Sequence, residues 1–135
     1  MERALYVHIP FCEVKCRYCD FTSYPGRNDE EKETYLQALC HEALYYGSLF
    51  PEEKFKSLYI GGGTPTCLSG WQLNLLLSFL RKNFALGDNT ECTVEGNPGT
   101  INTEKLLALQ ESGCNRLSLG VQSFAEGDLK RLGRI

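Results

Sequence analysis

The chain has 135 residues, of which 42% are hydrophobic, and its formal net charge at pH 7 is −3. This supplies enough apolar material for one hydrophobic core, and hence for one domain. The sequence has no basic run and no stripe of alternating basic and aromatic residues, so nucleic acid is not an expected partner. It also has no apolar run long enough to span a bilayer, although association with a membrane surface stays open.

Apolar runs rich in β-branched and aromatic residues predict four strands, at 5–9, 58–60, 92–94 and 116–119. Apolar residues at helical spacing predict a helix after each of these strands. Strands and helices therefore alternate along the chain, which favours an α/β fold with a parallel sheet and right-handed crossovers.

Each predicted helix has an apolar face or a start signal. The first, over 29–49, is predicted to place its apolar residues on one face, namely Tyr35, Leu36, Leu39, Ala43 and Leu44. Capping residues open the other three helices: the Ser69–Gln72 pair, Asn102 or Thr103 with Gly113 at the end, and the Ser123–Glu126 pair.

A cysteine loop (residues 12–19) follows the first strand. Cys12, Cys16 and Cys19 have the spacing C-x3-C-x2-C, and prolines on both sides argue against a helix through them. Three thiolates suit three irons of an iron–sulfur cube, whose fourth iron would then be open to a cosubstrate. On the residues alone, a zinc site with His8 as a further ligand and a dithiol redox pair remain alternatives.

The remaining cysteines are isolated among apolar neighbours, and we interpret them as buried small side chains: Cys40, Cys67, Cys92 and Cys114. The total of seven is odd, and the first residues show no signal-peptide pattern. Both observations argue against a disulfide framework. The expected location is the reducing cytoplasm.

Polar and glycine-rich residues concentrate where each predicted strand ends. The segments are the cysteine loop, Gly61-Gly62-Gly63-Thr64, Glu95-Gly96-Asn97 and Gly120-Val121-Gln122-Ser123. Because the carboxyl ends of parallel strands share one face of a sheet, we expect these segments to form one site. The triple-glycine segment lacks the lysine of a phosphate-binding loop, and a plain tight turn is its simplest alternative.

Together, these motifs resemble the radical S-adenosylmethionine (SAM) superfamily. They resemble most the family of oxygen-independent coproporphyrinogen III oxidase and its haem-chaperone paralogues. The matching segments are 6–12, the cysteine loop, 61–65, 95–98, 120–124 and 132–134. The resemblance implies that residues 1–135 are the N-terminal portion of a partial TIM-like barrel, with about four βα units of a longer core domain.

The resemblance also implies a [4Fe–4S] cluster on Cys12, Cys16 and Cys19, with SAM on the open iron. An electron from the reduced cluster would cleave a carbon–sulfur bond of SAM and release a 5′-deoxyadenosyl radical. The residues implied to contact SAM are Tyr6, Tyr18, Gly61, Gly62, Gly63, Thr64, Glu95, Gln122 and Arg134. Among them, Glu95 would attract the cation of the cosubstrate and Arg134 would pair with its carboxylate. No residue is assigned a catalytic role.

One departure favours the haem-chaperone-like branch of that family. The oxidases carry a further cysteine two residues after the third ligand, whereas here Asp20 and Phe21 follow Cys19. A chaperone-like protein would bind haem and pass it to an acceptor protein, and an electron donor protein would reduce its cluster. The alternatives are a coproporphyrinogen III oxidase, which decarboxylates that porphyrinogen, and a zinc-stabilised binding module.

Overall fold

The computed structural model describes residues 2–134. In chain order, its strands are β1 (Arg3–Ile9), β2 (Phe11–Cys12), β3 (Tyr24–Pro25), β4 (Phe55–Gly62), β5 (Glu91–Gly96) and β6 (Arg116–Leu119). The main sheet has the order β1-β4-β5-β6, and all its pairs are parallel. The short strands β2 and β3 form a separate parallel pair.

A helix follows each strand of the main sheet: α1 (Asp29–Leu49), α2 (Gly70–Asn83), α3 (Thr103–Glu111) and α4 (Glu126–Leu132). The predicted α/β fold with a parallel sheet is therefore confirmed. Among the helices of residues 2–134, none is both long and apolar enough to cross a membrane.

The hydrophobic core lies between one face of the main sheet and the helices. Its fully buried side chains come mainly from the strands and from α2, and include Ile9, Leu58, Ile60, Val94, Leu73, Leu76, Leu77 and Leu80. Because side chains alternate along a strand, the other face carries a different set. There Tyr6, Tyr59, Thr93 and Arg116 are successive partners across the four strands.

The N-terminal caps of α2 and α3 are those that the sequence predicts. Gln72 donates its backbone N–H to Ser69 Oγ (3.1 Å), and its side chain accepts from the Ser69 backbone N–H (2.9 Å), which confirms the predicted capping box. Asn102, one of the two predicted caps of α3, accepts from the Lys105 backbone N–H (2.9 Å). Side-chain acceptors thus satisfy backbone donors that the first turn of a helix leaves unpaired.

Two helix predictions are wrong. Ser123 and Glu126 do not form a capping box, because α4 begins at Glu126 itself and its cap residue, Ala125, has no side-chain acceptor. Ser123 Oγ instead accepts from the Ala125 backbone N–H (3.0 Å). Leu44 of α1 is 48% exposed because it follows the buried Ala43 directly and so points about 100° away around the helix.

The isolated cysteines are free thiols, as are those of the cysteine loop. Only Cys92 is fully buried, whereas Cys40, Cys67 and Cys114 are half-buried. Burial raises the pKa of the Cys67 thiol to about 11. The prediction of buried side chains is therefore confirmed for Cys92 and is too strong for the other three cysteines.

Candidate functional site

An open cavity of about 220 Å³ lies at the carboxyl ends of the main-sheet strands. Ten of the predicted site residues line it, namely Cys12, Cys16, Cys19, Tyr18, Gly62, Gly63, Thr64, Glu95, Gln122 and Arg134. The structure thus brings segments from all four βα units together at one place. Tyr6 and Gly61 are not among the residues that line the cavity.

The cysteine loop is attached to the fold at both ends and in the middle. Cys12, the first residue of the loop, is also the last residue of β2. The Tyr24 backbone N–H donates to the Pro10 carbonyl (2.7 Å), which joins the two chain segments on either side of the loop. In the middle, the Arg17 backbone N–H donates to the Leu132 carbonyl at the end of α4 (3.2 Å). These bonds hold the thiols over the strand ends.

Two of the three thiols have hydrogen-bond donors from other parts of the chain. Thr64 Oγ1 donates to Cys12 Sγ (3.6 Å), and Arg134 Nη1 donates to Cys16 Sγ (3.5 Å). Donors of this kind stabilise a thiolate, which is the form that binds metals.

The donor set fits an iron–sulfur cube. Three half-buried free thiols face one cavity. Within residues 2–134, no three His, Cys, Asp or Glu side chains converge closely enough to hold a single metal ion. A cube does not need such convergence, because each cysteine binds a different iron atom.

The triple-glycine turn lies directly against the first cysteine. A Cβ atom on Gly63 would come within 2.5 Å of the Phe11 carbonyl oxygen and 2.9 Å of Cys12 Sγ. Gly62 has φ +117°, a conformation that side-chain-bearing residues rarely adopt. The Thr64 backbone N–H also donates to the Phe11 carbonyl (2.6 Å). Glycine therefore lets the backbone of this turn approach the cysteine loop.

The carboxylate of Glu95 is oriented by the neighbouring strand. Tyr59 Oη donates to its Oε1 (2.6 Å), and the Gly62 backbone N–H donates to its Oε2 (3.2 Å). A Cβ atom on Gly61 would lie 2.8 Å from the same Oε2, so this glycine makes room for the carboxylate. The hydrogen bond to Glu95, with burial, raises the pKa of Tyr59 and keeps its phenol a donor.

Tyr59 was missed as a site residue. It lies two residues before Gly61 and therefore on the same face of β4. Thr100 and Ser118 also line the cavity and were not identified from the sequence, whereas Asn97 was expected there only as part of the segment Glu95-Gly96-Asn97. Their only available signal was their position near the carboxyl ends of strands.

The last two predicted contacts come from the end of the described chain. Arg134 turns back toward the cavity because α4 ends at Gly133 in the left-handed conformation (φ +71°), with the Arg134 backbone N–H bonded to the Leu129 carbonyl (2.9 Å). Its Nη2 donates to the Gly120 carbonyl. Gln122 also has a left-handed backbone (φ +63°), which is uncommon for a residue other than glycine.

The two predicted tyrosines have different surroundings. Tyr18 lines the cavity, and burial raises the pKa of its phenol, an effect that the charge of Arg134 opposes. Tyr6 does not line the cavity and is 58% exposed, and its ring stacks on Tyr59 with centroids 6.2 Å apart. Its hydroxyl is hydrogen-bonded to His8 Nδ1 (3.0 Å).

The sequence and the fold are both similar to those of radical SAM proteins. The Radical SAM superfamily model matches residues 6–135. The chain is 42% identical over 132 residues to the heme chaperone HemW of Escherichia coli, and covers 35% of that protein with 98% of its own length. It is 41% identical to HemW of Bacillus subtilis, again covering 98% of this chain and 35% of the relative.

Oxygen-independent coproporphyrinogen III oxidases are also similar. That of Salmonella typhimurium is 39% identical over 121 residues, which are 90% of this chain and 26% of the relative. The solved structure of coproporphyrinogen III oxidase (HemN) from E. coli, described as a radical SAM enzyme, superposes with a TM-score of 0.91 at 36% identity. That match covers 98% of this chain and 30% of the oxidase chain.

The chain thus spans about a third of the length of the curated relatives it matches. Its parallel βα units correspond to part of the partial barrel of the solved oxidase, as the sequence resemblance predicts. The family model covers nearly the whole chain, including all the strand-end segments that form the cavity. This protein therefore belongs to the radical SAM superfamily.

Proposed function

We propose that the cavity holds a [4Fe–4S] cluster on Cys12, Cys16 and Cys19, with SAM beside the open iron. Membership of the superfamily implies both cofactors. The observation that carries the assignment is that the three thiols share one cavity with the glycine turn, Glu95 and Arg134. When bound and reduced, the cluster supplies the electron for cleavage of SAM.

The residues around the thiols have complementary charges for the methionine part of SAM. The Glu95 carboxylate, held by Tyr59, would bind the ammonium group together with the carbonyl groups of the glycine turn. Arg134 would bind the carboxylate, because its planar guanidinium offers parallel donors. Tyr18 and Gln122 line the same cavity and would contact the nucleoside part.

Anaerobic reconstitution tests this assignment. We expect the wild-type protein to take up about four iron and four sulfide per chain, since a [4Fe–4S] cluster contains these numbers. Cys16→Ala should abolish stable loading, whereas Cys114→Ala, on the opposite end of the sheet, should leave it intact. Equal iron content in both variants would refute the ligand assignment, and zinc without iron and sulfide would favour a zinc-stabilised module.

We further propose that the protein handles haem as a chaperone, with an electron donor protein and a haem acceptor protein as partners. The relatives that are 35–42% identical include several named heme chaperones. Phe21, at the position where the oxidases have a further cysteine, lines the cavity and is 66% exposed. A cytoplasmic location, where thiols stay reduced, fits this proposal.

Haem titration of the cluster-loaded protein under anaerobic conditions tests the chaperone proposal. We expect the absorbance band of the added haem to change until the protein is saturated. The second candidate function is oxidative decarboxylation of coproporphyrinogen III, which the similarity to the solved oxidase supports. Formation of protoporphyrinogen together with 5′-deoxyadenosine, without haem binding, would favour the oxidase instead.

A further inference from the structure

His8 connects the sheet to the part of the chain that returns from the cysteine loop. This returning limb (residues 20–23) runs from Cys19 to β3 and carries Phe21. His8 Nε2 lies 2.9 Å from the Thr22 carbonyl oxygen. Among the hydrogen bonds of residues 20–22 in the described chain, this one alone reaches the sheet.

The two contacts of the His8 ring define which tautomer its neutral form adopts. A carbonyl oxygen only accepts, so Nε2 must carry the proton that it shares with Thr22. In a neutral imidazole the other nitrogen is then an acceptor, and Tyr6 Oη, 3.0 Å away, donates to Nδ1. Tyr6 thus fixes the tautomer that His8 needs in order to hold Thr22.

The remaining contacts of His8 keep its ring in place. Its backbone carbonyl accepts from Tyr35 Oη of α1 (2.5 Å). A Cβ atom on Gly62 would lie 2.8 Å from both Nδ1 and Cε1 of the ring, so the ring packs against the glycine turn. His8 therefore contacts the turn beside Cys12 and, through Thr22, the limb that follows Cys19.

We propose that His8 is a positioning residue that holds the returning limb, and that Tyr6 acts through it. The side chain of His8 keeps Cys19 and Phe21 at the cavity, whereas Tyr6 itself does not line the cavity. The proposal rests on the proposed cluster site, but the contacts of His8 do not require a bound cluster.

A matched pair of substitutions separates the two ring nitrogens. His8→Gln keeps an N–H donor near the position of Nε2, whereas His8→Asn keeps an acceptor near Nδ1 but is too short to reach Thr22. We follow exchange of the Cys19 and Tyr24 amides, which are hydrogen-bonded at either end of the limb, in the cluster-free protein. His8→Asn should speed this exchange on the order of fivefold, as expected for loss of one exposed hydrogen bond.

His8→Gln should exchange at nearly the wild-type rate, and the Leu73 amide of α2 should be unaffected in both variants. Iron uptake on reconstitution should fall in His8→Asn and recover in His8→Gln. Equal exchange rates in the Gln and Asn variants would overturn the proposal.

Nitrogen-15 NMR of the His8 ring gives an independent readout. The wild-type protein should show the Nε2–H tautomer, and Tyr6→Phe should show a mixture of tautomers. A wild-type Nδ1–H tautomer would refute the proposal. If the wild-type protein binds no cluster, the cluster assignment fails, while the tautomer and exchange measurements still decide the role of His8.

Discussion

Replacing Gly63 with alanine should damage both the fold and the cluster site. The new Cβ atom would lie 2.5 Å from the Phe11 carbonyl oxygen, almost an ångström closer than an ordinary contact of 3.4 Å. Neither side can yield easily, since that oxygen also accepts from the Thr64 backbone N–H (2.6 Å) and Cys12 Sγ would lie 2.9 Å away. Such overpacking typically lowers the free energy of unfolding by about 1–3 kcal/mol.

Urea denaturation of the cluster-free protein measures this loss, and iron analysis after reconstitution measures the damage to the site. We expect Gly63→Ala to retain less than half of the wild-type iron. Gly87→Ala is the matched control, because a Cβ atom there meets nothing within 4 Å. Its free energy of unfolding should stay within about 0.5 kcal/mol of wild type. A Gly63→Ala protein with wild-type stability and iron content would refute this account of the turn.

Three further predictions concern single contacts. Tyr59→Phe removes the donor to Glu95 Oε1 and should weaken SAM binding about tenfold by calorimetry, because hydrogen bonds to charged groups contribute about 1.5–3 kcal/mol; unchanged affinity would contradict this role. Cys67 has a pKa of about 11, so its rate of alkylation by iodoacetamide should rise about tenfold for each pH unit up to that pH, as measured by mass spectrometry. An alkylation rate that reaches a plateau near pH 8.5 would contradict the burial of this thiol. Asn28→Ala removes the capping box that Asn28 forms with Glu31 and should lower the free energy of unfolding by about 1 kcal/mol in urea, whereas no change would mean that the cap contributes nothing.

The sequence was sufficient to locate the strands and to bring the site segments together. Strand β6 has the predicted bounds, and the other three strands of the main sheet extend the predicted segments by a few residues at their ends. The short strands β2 and β3 were not predicted. The reason is physical: apolar β-branched runs form buried strands, and parallel strands place their carboxyl ends on one side. Glu95 lies at the carboxyl end of β5 and Gln122 follows β6, and the shared direction of those strands is enough to assign both residues to one site.

Side-chain contacts between strands could not be predicted from the sequence. The hydrogen bond from Tyr59 to Glu95 depends on the register of β4 against β5, which no local pattern specifies. The contact from Tyr6 to His8 could be expected from their alternation on one strand, but its consequence depends on the distant Thr22. Similarly, Ser123 and Glu126 matched the pattern of a capping box. The helix α4 begins two residues later than that pattern requires, so the capping box does not form.

The attachment of the cysteine loop to the end of α4 has a consequence for biosynthesis. Arg134 reaches Cys16 across 118 positions of sequence, and Arg17 bonds to Leu132. Contacts of such long range cannot form before residues 132–134 have been synthesised, and closing a large loop costs entropy before any contact is gained. A ribosome-bound chain exposes its three thiols early. It would lack the contacts of Arg134 and Leu132 with the cysteine loop until the fourth βα unit has emerged. Delivery of iron to the proposed cluster site should accordingly follow synthesis of this whole region rather than accompany it.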